Sequence, residues 1–582
     1  MSRRSAARPG GRRSANGAQI ADAVLLGVPA AVLIGTVAVS VAWWAGSGSW
    51  PLSSTSAMLR AAILLVRHPA RPFGAVAPRG APIPLGATLV LVVELLLVGL
   101  LALAGLLRCL AKSRPGQREV DGIAELRRAA KRGGVAKDEV RAGALVVGFA
   151  GRRAVATAAE SSLLVVGPTR TGKTSGLVIP ALLEWDGPVL ATSVRADLVR
   201  ATLARRVALG TTWIFDPSRS TDLPGASWDP LGDARDATSA RRIADAIVRS
   251  APGRSGGLGD GDFWFRSAAK LLAPLVLAAG ISGAGMEALC EWLDQDDQDE
   301  PGSILEAAGE QVALRALSAF VSKDDRYRSS VLATAEVAVD VFAEAGVLAG
   351  SGGPPIDLGR LVEGSSSSVA SLFVIAPPAE QDRLRPLFTL LVSEALSLAY
   401  RRAASIGRPL DPRLLVMLDE AANIAPIADL DRLASTAAGE GIQLVSVWQD
   451  LAQIEARYAT RWATVVSNHR ARLVLRGVGD PGTLEHLSAL SGEVWRTQES
   501  STRDPRSGVT TVTSAPLRER RVTPAELHGL PSGHALFFES PSSPALVRLR
   551  PWFADRRLCR LAGQARSTSW FGWSRLRRRR PP

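Results

Sequence analysis

The chain is poor in cysteine, tyrosine and lysine, and each shortage narrows what it can be. Its 582 residues include three cysteines, Cys109, Cys290 and Cys559. They lie too far apart for a metal-ligand spacing or a disulfide framework, so they read as reduced thiols in a cytosolic compartment. Three tyrosines stand against fourteen tryptophans, and only six of the 69 basic residues are lysines, so arginine is the default cation. No repeat with a 20–50-residue period is visible, which argues against a solenoid or propeller. Acids are missing from both ends. Residues 1–17 carry Arg3, Arg4, Arg8, Arg12 and Arg13, residues 556–582 carry nine arginines, and neither stretch has an acid. Those charges account for the whole formal net charge of +14, leaving residues 18–555 neutral. Such tails suit anionic lipid or nucleic acid without sequence preference, or a solvated, disordered segment.

What is abundant is apolar. The hydrophobic fraction is 47%, high for a soluble protein. Ile20 to Trp44 is nearly continuous Ala, Val, Leu and Ile, with Pro29 inside; Pro84 to Leu107 is a second run with Glu94 as its only charge. Each is long enough to cross a hydrocarbon core of about 30 Å. Trp43, Trp44 and Trp50 fall where an interfacial aromatic belt belongs. These runs predict a membrane anchor over 18–110 with two transmembrane helices, at about 20–44 and 84–107. A basic tail at 1–17 precedes it and a linker at 111–140 follows. Glu94 faces a partner helix, a neighbouring subunit or the interface.

The strongest local signal is Gly167-Pro168-Thr169-Arg170-Thr171-Gly172-Lys173-Thr174, a G-x-x-x-x-G-K-T loop followed by Ser175. The apolar run Leu163-Leu164-Val165-Val166 precedes it and a helical segment follows, the strand–loop–helix context of a P-loop. Backbone N–H groups freed by the glycines curl around phosphates. The helix N-terminus adds partial positive charge, Lys173 reaches the β- and γ-phosphates, and Thr174 offers its hydroxyl to Mg²⁺. In a chain that otherwise prefers arginine, a lysine here reflects the need for a compact ammonium. ATP with Mg²⁺ is therefore the expected cofactor pair. Because ATP is cytosolic, two crossings place both termini on the cytoplasmic side of a bacterial inner membrane.

A P-loop strand needs a later strand ending in acid. Leu414-Leu415-Val416-Met417-Leu418-Asp419-Glu420 supplies it, reading as a strand buried on both faces of a parallel sheet. Asp419 is expected to hold Mg²⁺ and Glu420 to polarise the attacking water. Gly441–Trp448 reads as the next strand, and Gln449 at its end is placed to contact the γ-phosphate. The catalytic set is thus Lys173, Glu420 and Gln449. Ala471–Arg476, Ala535–Glu539 and Ala545–Arg550 read as further strands. Residues 250–350 read as a helical insertion, so the expected fold is α/β: a RecA-like P-loop body over 141–555 interrupted by an all-α domain. Residues 497–520, rich in Ser, Thr and Arg, read as a loose surface loop, and 556–582 as a basic, aromatic tail.

This order of spans, P-loop, insertion, Asp-Glu strand and Gln strand resembles the type IV secretion coupling proteins of the TraD/TraG kind. The resemblance also rests on Phe215-Asp216-Pro217 with Trp228-Asp229-Pro230-Leu231, on Phe263-Trp264, and on Leu418-Asp419-Glu420-Ala421-Ala422-Asn423-Ile424. Gln449-Asp450-Leu451-Ala452-Gln453-Ile454 and Leu530-Pro531-Ser532-Gly533-His534-Ala535-Leu536 fit it as well. It covers about residues 140–555. It implies a membrane-anchored homo-hexameric ATPase that recruits single-stranded DNA bound to a relaxase and passes it to a type IV channel. The family often carries an arginine before the Gln strand; here 436–441 lacks one, so that either Arg432 or Arg470 substitutes or the finger lies elsewhere. Thr192-Ser193-Val194-Arg195-Ala196-Asp197 stands where an Asp-x-Lys pattern is commoner. Two rivals share parts of the pattern. An FtsK-like double-strand DNA pump calls for a reader domain after the motor. Protein-exporting ATPases often string several motors together, and this chain has one P-loop.

Overall fold

The computed structural model describes residues 36–45, 47–49, 51, 55–67, 71–76, 83, 143–251, 260–343, 353–363, 368–503, 510–539 and 542–563. The chain divides into two compact units, Met1–Arg118 and Glu119–Pro582. In the first unit, helices Thr36–Ala45 and Thr55–Arg67 are followed by a 3₁₀ turn, Pro72–Ala75. Trp43 packs against Phe73 with ring centres 6.3 Å apart. The helix Thr36–Ala45 covers the end of the span expected at 20–44. The span at 84–107, the N-terminal tail, the linker at 111–140 and residues 564–582 lie outside the described residues. Among the described residues, one helix is apolar and long enough to cross a membrane, Asp262–Ser282. It is mostly buried, with Ala268, Leu272, Leu275 and Val276 in the core of the second unit.

The second unit is built on one sheet. Its strands are β1 (Val146–Ala150), β2 (Arg153–Ala156), β3 (Leu163–Val166), β4 (Val189–Ser193), β5 (Thr212–Phe215), β6 (Ser371–Ile375), β7 (Leu414–Leu418), β8 (Ile442–Trp448) and β9 (Ala471–Leu475). After the ribbon strands β10 (Glu493–Arg503) and β11 (Thr510–Arg520) come β12 (His534–Glu539) and β13 (Ala545–Arg548). The lateral order is β2-β1-β13-β12-β9-β3-β8-β7-β4-β6-β5. From β9 to β5 all neighbours are parallel, whereas β12, β13, β1 and β2 extend the sheet antiparallel. Strands β3, β4, β6, β7, β8 and β9 are buried at every position. That is why β3 and β7 read as unbroken apolar runs: both faces are covered, so period-2 alternation disappears.

Alternate side chains feed two cores. Leu163, Val165, Met417, Val445 and Val447 pack with helices Thr174–Glu184 and Ala196–Leu209. Leu164, Val166, Val416, Leu418 and Leu444 face the other way, toward Ala237–Ser250, Asp260–Ser282 and the 26-residue helix Gln381–Ile406. Five helices from Asp260 to Val339 lie between β5 and β6 in sequence.

The loop expected over 497–520 is not a loop. Its residues form most of β10 and β11, which pair antiparallel from Glu493↔Arg520 to Arg503↔Thr510. A ribbon with neither face in a core needs no apolar alternation, so its Ser/Thr-rich sequence carried no strand period.

Candidate active site

The site forms at the carboxyl ends of three adjacent strands. β8 lies between β3 and β7, and its end is tied on both sides. Gly167 N–H donates to the Trp448 carbonyl at 3.1 Å, and Ala421 N–H donates to the Val447 carbonyl at 3.2 Å. The loop after β3, the acids after β7 and the residue after β8 are thereby brought together. This is the crevice where open α/β sheets bind ligands.

The loop itself is shaped by its glycines. Gly172 has φ +93°, a conformation that side chains rarely adopt. A Cβ on Gly167 would sit 2.8 Å from Leu475 Cβ on β9. Thr171 Oγ1 donates to the Pro168 carbonyl at 2.8 Å and closes the loop on itself. Thr169 and Arg170 at its crown are exposed; Ser175 is half-buried on the first turn of the helix. That first turn, Thr174–Val178, is a π-turn. There the Gly176 carbonyl accepts from Arg550 N–H at 3.3 Å, just past β13. The Arg550 guanidinium reaches Glu184 at the other end of the same helix, at 2.9 Å.

Lys173 is 6% exposed, and its ammonium donates to the Gly167 carbonyl at 2.5 Å. Burial lowers its pKa, against the opposing pull of Glu420, Asp419 and Asp450. Thr174 Oγ1 donates to Asp419 Oδ2 at 3.2 Å, across 245 residues of sequence. Asp419 is 5% exposed, and burial, with the Glu420 charge beside it, pushes its carboxyl up to about 6. A buried carboxylate held against a hydroxyl is a donor pair that suits a hard divalent cation, whose charge offsets the burial penalty. Among the described residues no cluster of three or more His, Cys, Asp or Glu could hold a metal alone.

Glu420 adopts φ +55°, rare for a residue with a side chain. Holding it there costs about 1–2 kcal/mol, repaid by the hydrogen bonds around the turn. Asn423 N–H donates to its carbonyl at 3.0 Å, and Thr192 Oγ1 on β4 donates to the Asp419 carbonyl at 2.9 Å. Gln449 Nε2 donates to Glu420 Oε2 at 3.3 Å. Lys173, Thr174, Asp419, Glu420 and Gln449 are thus linked through the two strand ends and the loop. The two candidate fingers are elsewhere: Arg432 pairs with Asp429 at 3.1 Å, and Arg470 is exposed just before β9. Two participants stand outside the site as read from sequence: Thr192, noted only within a departure from the family pattern, steadies the acid turn, and Arg550 braces the P-loop helix from beyond β13.

Residues 123–570 match the family model described as "Type IV secretory system Conjugative DNA transfer". The chain belongs to that family. It is a type IV coupling protein by sequence and by fold. It is 24% identical over 371 residues to the conjugal transfer protein TraG of Escherichia coli, an alignment covering 58% of this chain and 56% of the relative. It is 22% identical over 421 residues to the protein VirD4 of Agrobacterium fabrum, covering 68% and 59%. The chain thus spans little more than half the length of these curated relatives. Among solved structures, the unbound conjugative coupling protein TrwBdeltaN70 superposes with TM-score 0.57 at 21% identity, over 73% of this chain and 91% of that one. TrwB has also been solved with a non-hydrolysable ATP analogue and with ADP and Mg²⁺, each matching with TM-score 0.54 at 20% identity. The RecA-like α/β fold is therefore shared with this family.

Proposed function

We propose that this coupling protein is a nucleoside-triphosphate-driven motor of conjugative DNA transfer. The observation that carries this reading is the convergence of Lys173, Thr174, Asp419, Glu420 and Gln449 on the end of β8. The loop from Gly167 to Ser175 cradles the phosphates of ATP, and Lys173 neutralises their charge. Thr174 and Asp419 hold Mg²⁺, which, when bound, draws charge from the phosphate oxygens. Glu420 takes a proton from the attacking water, and Gln449 orients the carboxylate and senses the γ-phosphate.

The cargo is single-stranded DNA carried by a relaxase, handed to the type IV channel. The working form is a homo-hexamer in the bacterial inner membrane, anchored by two spans near 20–44 and 84–107, with both termini cytoplasmic. The domain plan is the one read from sequence: tail 1–17, anchor 18–110, linker 111–140, motor 141–555 interrupted by the all-α insertion at 250–350, and tail 556–582.

The test is steady-state phosphate release by the detergent-extracted full chain, with and without single-stranded DNA. Release should rise with DNA and with protein concentration, because a ring motor completes its sites between subunits. Stimulation by duplex DNA alone would point instead to an FtsK-like pump. No release under any condition would overturn the motor reading.

A further inference from the structure

A cavity of about 760 Å³ lies away from the nucleotide loop, on the sheet face opposite the P-loop helix. Four arginines line it: Arg242 and Arg249 from helix Ala237–Ser250, Arg401 from helix Gln381–Ile406, and Arg432 from helix Leu430–Thr436. Two are neutralised. Arg242 pairs with buried Glu394, and Arg432 pairs with Asp429. Arg249 and Arg401 are exposed and form no ion pair or side-chain hydrogen bond among the described residues. Glu440 on the wall, with Asp233 and Asp236 near Arg242, supplies further negative charge. Burial is the main reason the pKa of Arg242 is lowered; the Arg401 and Arg249 charges lower it further, while Asp233 and Asp236 oppose them.

The wall between the arginines is polar in a specific way. Ser393 and Ser397 stand one turn apart on one face of Gln381–Ile406, in line with Arg401. Serines elsewhere on the protein's helices, such as Ser303, Ser318 and Ser329, bond back to the carbonyl four residues earlier. Ser393 and Ser397 have no hydrogen bond among the described residues, so both hydroxyls remain available to a ligand. Guanidinium forks with free hydroxyls recognise phosphate oxygens. The floor from Ile427 to Thr436 belongs to the segment joining Glu420 to Gln449. Whatever fills the cavity therefore bears on the connection between Glu420 and the amide that orients it.

We infer that this cavity is a second anion site, which takes the phosphate oxyanions of a nucleic-acid strand and relays its presence to Glu420 and Gln449. The inference rests on nucleic acid being the cargo. A free polyphosphate shares the same chemistry, and the test separates the two sources.

The full chain in detergent, without nucleotide, is titrated against a fluorescent oligo-dT strand over a range of salt. The paired variant Arg249→Gln/Arg401→Gln should weaken binding about tenfold. Loss of two phosphate contacts should flatten the slope of log affinity against log salt by about 1.4, given ~0.7 per contact for single strands. Arg249→Lys/Arg401→Lys should restore the slope, because ammonium groups still displace counterions. DNA-stimulated phosphate release should fall toward the basal rate in the Gln pair, while the basal rate holds. Displacement of the strand by inorganic tripolyphosphate from the parent but not the Gln pair assigns the site to free polyphosphate. Equal displacement by poly-glutamate would overturn a phosphate site, as would unchanged affinity and slope in the Gln pair. Binding is read without nucleotide, so a failure of the ATPase reading leaves this result standing.

Discussion

Gln449 Nε2 and Glu420 Oε2 lie 3.3 Å apart, an amide at the end of β8 donating to the carboxylate at the end of β7. The amide fixes the direction of the carboxylate without neutralising it. Glu420→Gln removes the base and keeps the shape. ATP and Mg²⁺ should still bind while turnover falls ~10²-fold or more, the scale expected of a general base. Gln449→Ala should keep nucleotide binding and lower hydrolysis by a smaller factor, with stimulation by DNA most affected. Phosphate release and a nucleotide titration on each variant separate the two roles.

Lys173 meets phosphate in the ground state as well as the transition state. Lys173→Ala should therefore abolish nucleotide binding or nearly so. The thermal midpoint without nucleotide should fall modestly, because truncation leaves the Gly167 carbonyl without its donor and the Asp419 and Glu420 carboxylates without the nearby cation. Titration with a fluorescent ATP analogue, beside a melting curve, checks both halves.

Gly167→Ala tests the loop's shape rather than its charge. The added methyl meets Leu475 Cβ on β9 at 2.8 Å and Thr171 Oγ1 in the loop at 3.3 Å, and the Leu475 Cβ, fixed to a buried strand, cannot retreat far. A cost of about 1–3 kcal/mol is expected, as for overpacking elsewhere. A lower unfolding midpoint with weakened nucleotide binding is the expected outcome; an unchanged midpoint would show that β9 can give way.

His469 makes stability depend on pH. It is fully buried between Ser446 Oγ at 2.9 Å and the Val465 carbonyl at 2.7 Å. Burial lowers its pKa from 6.5 to about 4, and the nearby Arg472 charge adds to that. A folded-state pKa below the unfolded one favours folding fully above pH 6.5, and the contribution is lost as pH falls toward 4. The amount is roughly 3 kcal/mol across that window. Denaturant unfolding at pH 7.5 and pH 5 should show a drop that is smaller in His469→Gln, measured against each protein's own value at the higher pH.

The parts of this protein that were legible in sequence are those with a local signature. Leu163–Val166 and Leu414–Leu418 announced buried strands because both their faces are covered, and the loop glycines announced phosphate chemistry. The apolar run before Gln449 marked it as a strand-end residue, but its hydrogen bond to Glu420 rests on the pairing of β7 with β8. Other parts depend on lateral neighbours that no local pattern encodes. The contact between Thr174 and Asp419 exists because β8 inserts between β3 and β7. The ribbon of β10 and β11 was missed because a two-sided polar strand has no hydrophobic period. The left-handed turn at Glu420 was hidden because an acidic residue gives no hint of positive φ. Arg249 and Arg401 sit on helices far apart in sequence, and only packing brings them to one cavity.

The sheet order also governs how the protein is made. β3, with all four side chains buried, pairs with β8 and β9, which leave the ribosome roughly 300 residues later. At about 5–20 residues per second, that is a delay of order 15–60 s. During that interval Leu163–Val166 is a sticky apolar strand with two open edges. The centre of the sheet can therefore close only once β9 has been made.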